Sequence, residues 1–78
     1  MIEKTIFLNR IEDVKKLVNI TMSKPYDIEL LSNKYVANGK SIMGIFGLDL
    51  TKPVRLVAHA NDDELLNELV EFEYAAHA

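Results

Sequence analysis

A chain of 78 residues is long enough for one small hydrophobic core and too short for two, so we expect residues 1–78 to form a single domain. Hydrophobic residues make up 49% of the chain and charged residues 27%, which is typical of a folded, soluble protein. The net charge of −3 argues against a nucleic-acid binder that depends on neutralising phosphates. The absence of cysteine excludes disulfides and thiolate metal sites and favours the cytoplasm. No apolar run is long enough for a transmembrane helix or signal peptide, so no membrane partner is expected.

A strand and a helix open the chain. Residues 5–8 are apolar and partly β-branched, which predicts a strand. From Asn9 onward the hydrophobic period becomes helical, and one apolar face carries Ile11, Val14, Leu17, Val18 and Met22. Asn9 and Glu12 have the spacing of a capping box at the start of this helix, and Pro25 ends it.

Two short strands follow. Residues 26–31 alternate in polarity, with Ile28 and Leu30 on one face, which predicts a strand. Residues 32–34 are typical of a turn, and residues 35–37 then form the partner strand. The segment therefore predicts a β-hairpin.

A short helix with an exposed apolar side is predicted after a second turn at Asn38 and Gly39. Ser41 is a favourable N-cap for residues 42–48, and two glycines in that segment exclude a long helix. Because so short a helix cannot bury every side, some of its apolar residues stay at the surface, among Ile42, Met43 and Phe46. An exposed apolar patch on a small acidic domain indicates a protein partner.

A strand and a helix complete the predicted order. Residues 54–60 alternate between an apolar face and a face with Arg55, Val57 and His59. Asn61 and Glu64 repeat the capping-box spacing before a final helix whose apolar residues are Leu65, Leu66, Leu69, Val70 and Phe72. The order β-α-β-β-α-β-α predicts an α+β open-faced sandwich: an antiparallel four-stranded sheet with three helices on one face.

Motifs for phosphate or metal binding are weak. Gly39-Lys40-Ser41 matches the last three residues of a nucleotide-binding loop motif. The motif also requires a glycine five residues before Gly39, and that position is Lys34. His59 and His77 lack metal-ligand spacing, so we expect two surface histidines and no metal site. No cofactor is expected.

Catalytic motifs are weak as well. No histidine stands at a recognisable interval from any serine. The acidic clusters, Glu12-Asp13 and Asp62-Asp63-Glu64, fall in the first turns of predicted helices, where capping and the helix dipole explain them. We therefore expect a protein that is not an enzyme.

The Lys-Ser-Ile-Met-Gly-Ile string at residues 40–45, with Leu48, resembles the regulatory-serine region of HPr, the histidine-containing phosphocarrier of the sugar phosphotransferase system. An ungapped register runs from about residue 5 to residue 52 and is strong over residues 37–48. The resemblance implies the open-faced sandwich and a regulatory phosphorylation site at Ser41. It also implies that partners bind through Lys40, Ile42, Met43 and Phe46.

The same register shows that the family's phosphorylated histidine is replaced by Arg10. Glu12 stands at the position of a supporting arginine and Asp13 at the position of a proline. Arginine stays protonated and cannot accept a phosphoryl group reversibly, and the two carboxylates repel phosphate. The chain therefore resembles non-transferring HPr paralogues, such as the catabolite-repression HPr-like protein.

The expected partners follow from this resemblance. An HPr kinase/phosphorylase-type enzyme would modify Ser41, and a LacI-type regulator of carbon catabolite repression would bind the modified protein. Two alternatives stay open: a phosphocarrier that uses another residue, such as His59, or an interaction module that binds through Met43 and Phe46 without modification. Ser41 would in that last case be a helix cap only.

Overall fold

Four antiparallel strands and three helices make up the computed structural model, which describes residues 1–73. The elements are β1 (Ile2–Ile6), α1 (Ile11–Thr21), β2 (Ile28–Ser32), β3 (Tyr35–Asn38), α2 (Ile42–Phe46), β4 (Val54–Ala58) and α3 (Asp63–Leu69), with a 3₁₀ turn at Val70–Phe72. The strands form a single sheet in the order β1-β4-β2-β3. The predicted α+β open-faced sandwich is confirmed. Within the described range, no helix combines the length and apolarity needed to cross a bilayer.

The two faces of the sheet differ in polarity because side chains alternate along each strand. In the register, Leu56 of β4 lies opposite Leu30 of β2, which in turn lies opposite Ala37 of β3. These residues face the helices and join one buried core with Val14, Leu17, Val18, Ile45, Leu65, Leu69 and Phe72. The other face, which no helix of residues 1–73 covers, carries Glu3, Thr5, Glu29, Leu31, Arg55 and Val57. We call it the open face.

The strand boundaries differ from the predicted ones by a few residues. β1 covers Ile2–Ile6 rather than residues 5–8, since the chain leaves the sheet at Phe7, whose N–H donates to the carbonyl of Phe72 at 2.7 Å. Leu8 is apolar because it is buried in the core, although it lies outside the strand. The predicted strand therefore extended too far. β4 ends at Ala58, two residues early, and β3 extends one residue further.

The prediction that Ile11 and Met22 lie on the buried face of α1 is wrong. Ile11 is 59% exposed and Met22 is 66% exposed, while Val14, Leu17 and Val18 are buried as expected. Helical spacing gives the direction of a side chain but not whether another element lies above it. At both ends of α1 the apolar side chain extends past the core.

The predicted cap of the last helix was shifted by one residue. The N-cap of α3 is Asp62, not Asn61, and its carboxylate accepts hydrogen bonds from the backbone N–H groups of Glu64 and Leu65 at 3.0 and 3.3 Å. Both residues are good caps. Asn61 instead accepts a hydrogen bond from the N-terminal amine of Met1 at 2.8 Å.

Candidate functional site

Ser41 is the N-cap of α2, as predicted. Its hydroxyl oxygen accepts the backbone N–H of Gly44 at 3.1 Å, and its own carbonyl accepts the N–H of Ile45 at 3.0 Å. The side chain is half-buried, and within the described part of the chain its hydroxyl donates no hydrogen bond. Ser41 is therefore held in place through its acceptor oxygen while its proton stays uncommitted.

The loop before Ser41 is fixed by contacts at Gly39. Its backbone N–H donates to the carbonyl of Ile28 at 2.7 Å, and its carbonyl accepts the buried hydroxyl of Thr21 at 2.6 Å. These hydrogen bonds tie the loop to the start of β2 and to the end of α1. Ser41 thus follows a backbone segment that buried partners hold on two sides.

Lys40 contributes to the same anchoring, although the sequence suggested that it would face a partner. Its ammonium donates to the backbone carbonyl of Lys24 at 2.7 Å, and its stem is half-buried. Its backbone N–H donates to the side chain of Asn38 at 2.9 Å. The Lys40 ammonium is therefore held at the Lys24 carbonyl in a defined position.

The apolar residues of α2 divide between core and surface. Ile45 is fully buried and Ile42 packs partly against the core, whereas Met43 is 81% exposed and Phe46 is 42% exposed. The exposed side chains of Met43 and Phe46 form what we call the α2 patch. Met43 lies within one turn of Ser41, and Phe46 lies in the next turn.

The start of α1 lies beside the end of α2. Arg10, Ile11, Phe46, Leu50 and Thr51 are among the residues that line a shallow cleft of about 290 Å³ between them. Ile11, which the sequence assigned to the core, thereby extends the apolar surface of the α2 patch toward Arg10. Its signal in the sequence was ambiguous, because the first residue of a helix often lies beyond the core.

Arg10 is the N-cap of α1, and the predicted capping box of Asn9 with Glu12 is wrong. The carboxylate of Asp13 accepts the backbone N–H groups of both Asn9 and Arg10 at 3.2 Å. The Arg10 guanidinium lies 3.4 Å from the other oxygen of Asp13. A carboxylate thus already occupies the position at which a phosphate would meet these N–H groups.

The histidine that the structure describes lies elsewhere. His59 follows β4 on the open face, and its Nε2 is 3.0 Å from the carboxylate of Glu29. It is not at the start of a helix, where backbone N–H groups could receive a phosphoryl group. Within residues 1–73 no group of three or more suitable side chains could hold a metal ion. His77 lies outside the described residues.

An ionic cluster around one buried lysine was not predicted. The ammonium of Lys24, a residue only 6% exposed, lies 2.6 Å from Glu64, 2.8 Å from Glu68 and 3.8 Å from Asp62. The Tyr26 hydroxyl donates to Asp62 at 2.6 Å. Helix capping alone therefore does not explain the acidic run at residues 62–64. We call these five residues the Lys24 cluster.

The Lys24 cluster shifts three pKa values. Hydrogen bonds to Glu64 and then Glu68 hold the pKa of the Lys24 ammonium above its usual value, although burial opposes them. Burial, and then the hydrogen bond to Asp62, raises the pKa of Tyr26 to about 12. The same hydrogen bond from Tyr26 lowers the pKa of Asp62. Lys24 and Asp62 are therefore charged at neutral pH, and Tyr26 is protonated.

Comparisons with known proteins identify the architecture. Neither a protein-family model nor a curated protein sequence matches this chain. Among solved structures, HPr-C-His from Thermoanaerobacter tengcongensis superposes with a TM-score of 0.72 and 24% sequence identity, over 91% of this chain and 89% of that chain. The chain therefore has an HPr-like fold, with Arg10 and Ser41 at the starts of its first two helices.

Proposed function

We propose that this protein is an HPr-like regulator of the phosphotransferase system or of carbon catabolite control, switched by phosphorylation of Ser41 and unable to carry phosphate on a histidine. The observation that carries the proposal is the position of Ser41 within one turn of the exposed Met43. The function is that of a binding protein, not of an enzyme. Its place of action would be the cytoplasm.

The geometry of Ser41 favours a recognition label rather than a structural switch. A phosphoryl group adds roughly −1.5 to −2 charges at the start of α2, where the helix dipole stabilises an anion by about 0.3–1 kcal/mol. That is too little to rearrange a loop that Gly39 and Lys40 anchor. The modified protein would instead offer a partner an anion beside the apolar α2 patch.

The start of α1 supports the loss of phosphate transfer. Arg10 cannot accept a phosphoryl group reversibly, because its guanidinium is protonated throughout the physiological range. Asp13 holds the two nearby N–H groups and adds negative charge. A phosphate approaching this helix would therefore have to displace a carboxylate.

The partners follow from the resemblance to HPr. We expect an HPr kinase/phosphorylase-type enzyme to modify Ser41 and a LacI-type catabolite regulator, or another protein with basic side chains, to bind the product. Met43 and Phe46 would supply the apolar part of that interface. No nucleic acid or membrane would take part directly.

Phosphorylation is tested by incubating the purified chain with such a kinase and ATP and measuring the intact mass. One phosphoryl group is expected on the unmodified chain and on Ser23→Ala, which removes another exposed serine, and none on Ser41→Ala. Phosphate on Ser41→Ala, or none on the unmodified chain, would overturn the proposal. Labelling from phosphoenolpyruvate through the general phosphotransferase enzyme would overturn the claimed loss of transfer.

The α2 patch is tested separately with the phosphorylated chain and the regulator. Met43→Asp is expected to lower the affinity at least about tenfold, because it places a charge in a desolvated contact. Val36→Asp is the control, since Val36 is 61% exposed and follows the open-face alternation of β3. Equal binding of both variants would contradict a role for the patch. Equal binding by the chain without phosphate would favour the unmodified interaction module instead.

A further inference from the structure

A cleft on the open face has features of a binding site that the function of Ser41 does not use. It has a volume of about 510 Å³, and its lining includes Thr5, Leu31, Asn33, Lys52, Pro53 and Arg55. Arg55 of β4 lies directly between Thr5 of β1 and Leu31 of β2 in the sheet register. The turn between β2 and β3 and the chain before β4 close one end. The helices lie on the opposite face of the sheet.

The charge of this cleft opposes that of the whole molecule. Two cations, Lys52 and Arg55, line it, and no carboxylate of the described residues does, although the chain has a net charge of −3. The acidic neighbour of Arg55 is Glu3 at 3.7 Å, in a pair whose side chains are 63% and 51% exposed. An ion pair this exposed and this long contributes little to the free energy of folding. An anionic ligand could therefore replace Glu3 as the partner of Arg55.

Lys52 is also available to a ligand. It makes no ion pair within residues 1–73, and the nearby carboxylate of Asp49 accepts hydrogen bonds from the backbone and hydroxyl of Thr51. Those hydrogen bonds, more than Lys52, hold the pKa of Asp49 below its usual value. Asp49 therefore stays charged but is engaged with Thr51.

Neutral donors complete the lining. The hydroxyl of Thr5 and the side-chain amide of Asn33 make no hydrogen bond in the described part of the chain. Asn33 lies in a two-residue turn and has a φ of +54°, a left-handed conformation that asparagine tolerates well. This backbone conformation fixes the direction of its Cα–Cβ bond. Two cations and two neutral donors thus surround the same space, and among the described residues only Arg55 has a partner, the exposed Glu3.

The size and the apolar walls define the class of ligand. A volume of about 510 Å³ exceeds that of a single phosphate ion and is within the range of small-molecule sites. Leu31 and Pro53 offer apolar contact to a carbon skeleton beside the cations. From these features we infer that the open-face cleft binds a small phosphorylated organic molecule, with Arg55 and Lys52 contacting its phosphate.

The test is a titration of the ¹⁵N-labelled full chain with ribose 5-phosphate, followed by NMR. Saturable shifts are expected at Thr5, Leu31, Asn33, Lys52 and Arg55, with a millimolar or lower Kd. Ribose, which lacks the anion, should leave the spectrum unchanged, and inorganic phosphate should bind more weakly. Equal binding of inorganic phosphate, or shifts that do not saturate, would overturn the inference.

Variants separate the cleft from general charge effects. Arg55→Gln and Lys52→Gln are each expected to weaken binding about tenfold, the loss of one charge-assisted hydrogen bond. Lys15→Gln removes the same charge from an exposed position on α1 and should leave the Kd unchanged. An equal loss in all three variants would show that only net charge matters and would overturn the inference. The inference does not depend on phosphorylation of Ser41.

Discussion

Lys24 is the one charged residue that the fold buries among residues 1–73. An ammonium removed from water is tolerated only when carboxylates replace its hydration, and Glu64 and Glu68 lie within 2.8 Å of it. Its position joins the end of α1 to the first two turns of α3. This single side chain therefore holds together two helices that are distant in sequence.

Replacing Lys24 by methionine is expected to destabilise the protein by about 3 kcal/mol, because the carboxylates of Glu64 and Glu68 would repel each other without their partner. Methionine keeps the apolar stem, so the loss reports on the charge. Lys15→Met, at an exposed position of α1, is the control and should change the free energy of unfolding by less than about 0.5 kcal/mol. Urea unfolding measures both. Equal free energies of unfolding for Lys24→Met and Lys15→Met would show that the charge of Lys24 contributes no net stability.

The sequence could not reveal the Lys24 cluster. Lys24 contacts Glu64, 40 residues away, and Tyr26 contacts Asp62, 36 residues away. Local patterns report helix starts and buried faces, so the acidic run at residues 62–64 was explained by capping alone. The cap itself was predicted one residue early because asparagine and aspartate serve equally well. Only the folded chain brings these residues to Lys24.

At the scale of elements, the loop between β3 and α2 is the segment that the sequence predicted best. The cap at Ser41 and the short apolar helix after it were correct, because each depends on neighbours a few residues apart, although Asn38 belongs to β3 and the helix ends at Phe46. The sequence did not predict that Thr21 and Ile28 hold the loop from outside. It also did not show that Lys40 would contact the Lys24 carbonyl.

Gly39 tests how tightly this loop is held. A Cβ at this position would lie 2.8 Å from the Ile28 side chain and 2.9 Å from the Ile28 carbonyl oxygen, so the backbone would have to move. Gly39→Ala is therefore expected to destabilise the protein by roughly 1–3 kcal/mol.

Gly47→Ala is the matched control for Gly39. Its Cβ would approach the carbonyl oxygen of Gly44 only to 3.3 Å, and its φ of −76° suits any residue. We expect a clearly smaller loss, measured by thermal and urea unfolding. A loss from Gly39→Ala no larger than that from Gly47→Ala would show that the loop yields easily.

In the whole molecule, the buried apolar core and the Lys24 cluster stabilise different regions. The core joins the sheet to the helices, and its alternating pattern made the fold predictable from the sequence. The cluster and the anchors of Gly39 and Lys40 join the end of α1 to the starts of α2 and α3. Ser41 therefore belongs to a corner of the molecule that ion pairs help to stabilise. Because groups of this corner titrate, the free energy of unfolding of the whole protein should depend on pH.

That dependence is expected under alkaline conditions. The pKa of Tyr26 is about 12 in the folded chain against about 10 when unfolded, and that of Lys24 is also raised. Between pH 10 and 12 the unfolded chain has released protons that the folded chain keeps. The free energy of unfolding must therefore fall as pH rises, by roughly 2 kcal/mol for Tyr26 alone.

Tyr26→Phe isolates this contribution from that of Lys24. The variant loses the hydrogen bond to Asp62, so it should be less stable than the parent at pH 7. Its stability should then fall less steeply from pH 10 to 12, because it has no phenol to hold protonated, and the two urea-unfolding profiles should converge. Profiles that stay parallel up to pH 12 would contradict the raised pKa of Tyr26. Convergence would show that the fold keeps the Tyr26 phenol protonated, mainly through its burial and then through its hydrogen bond to Asp62.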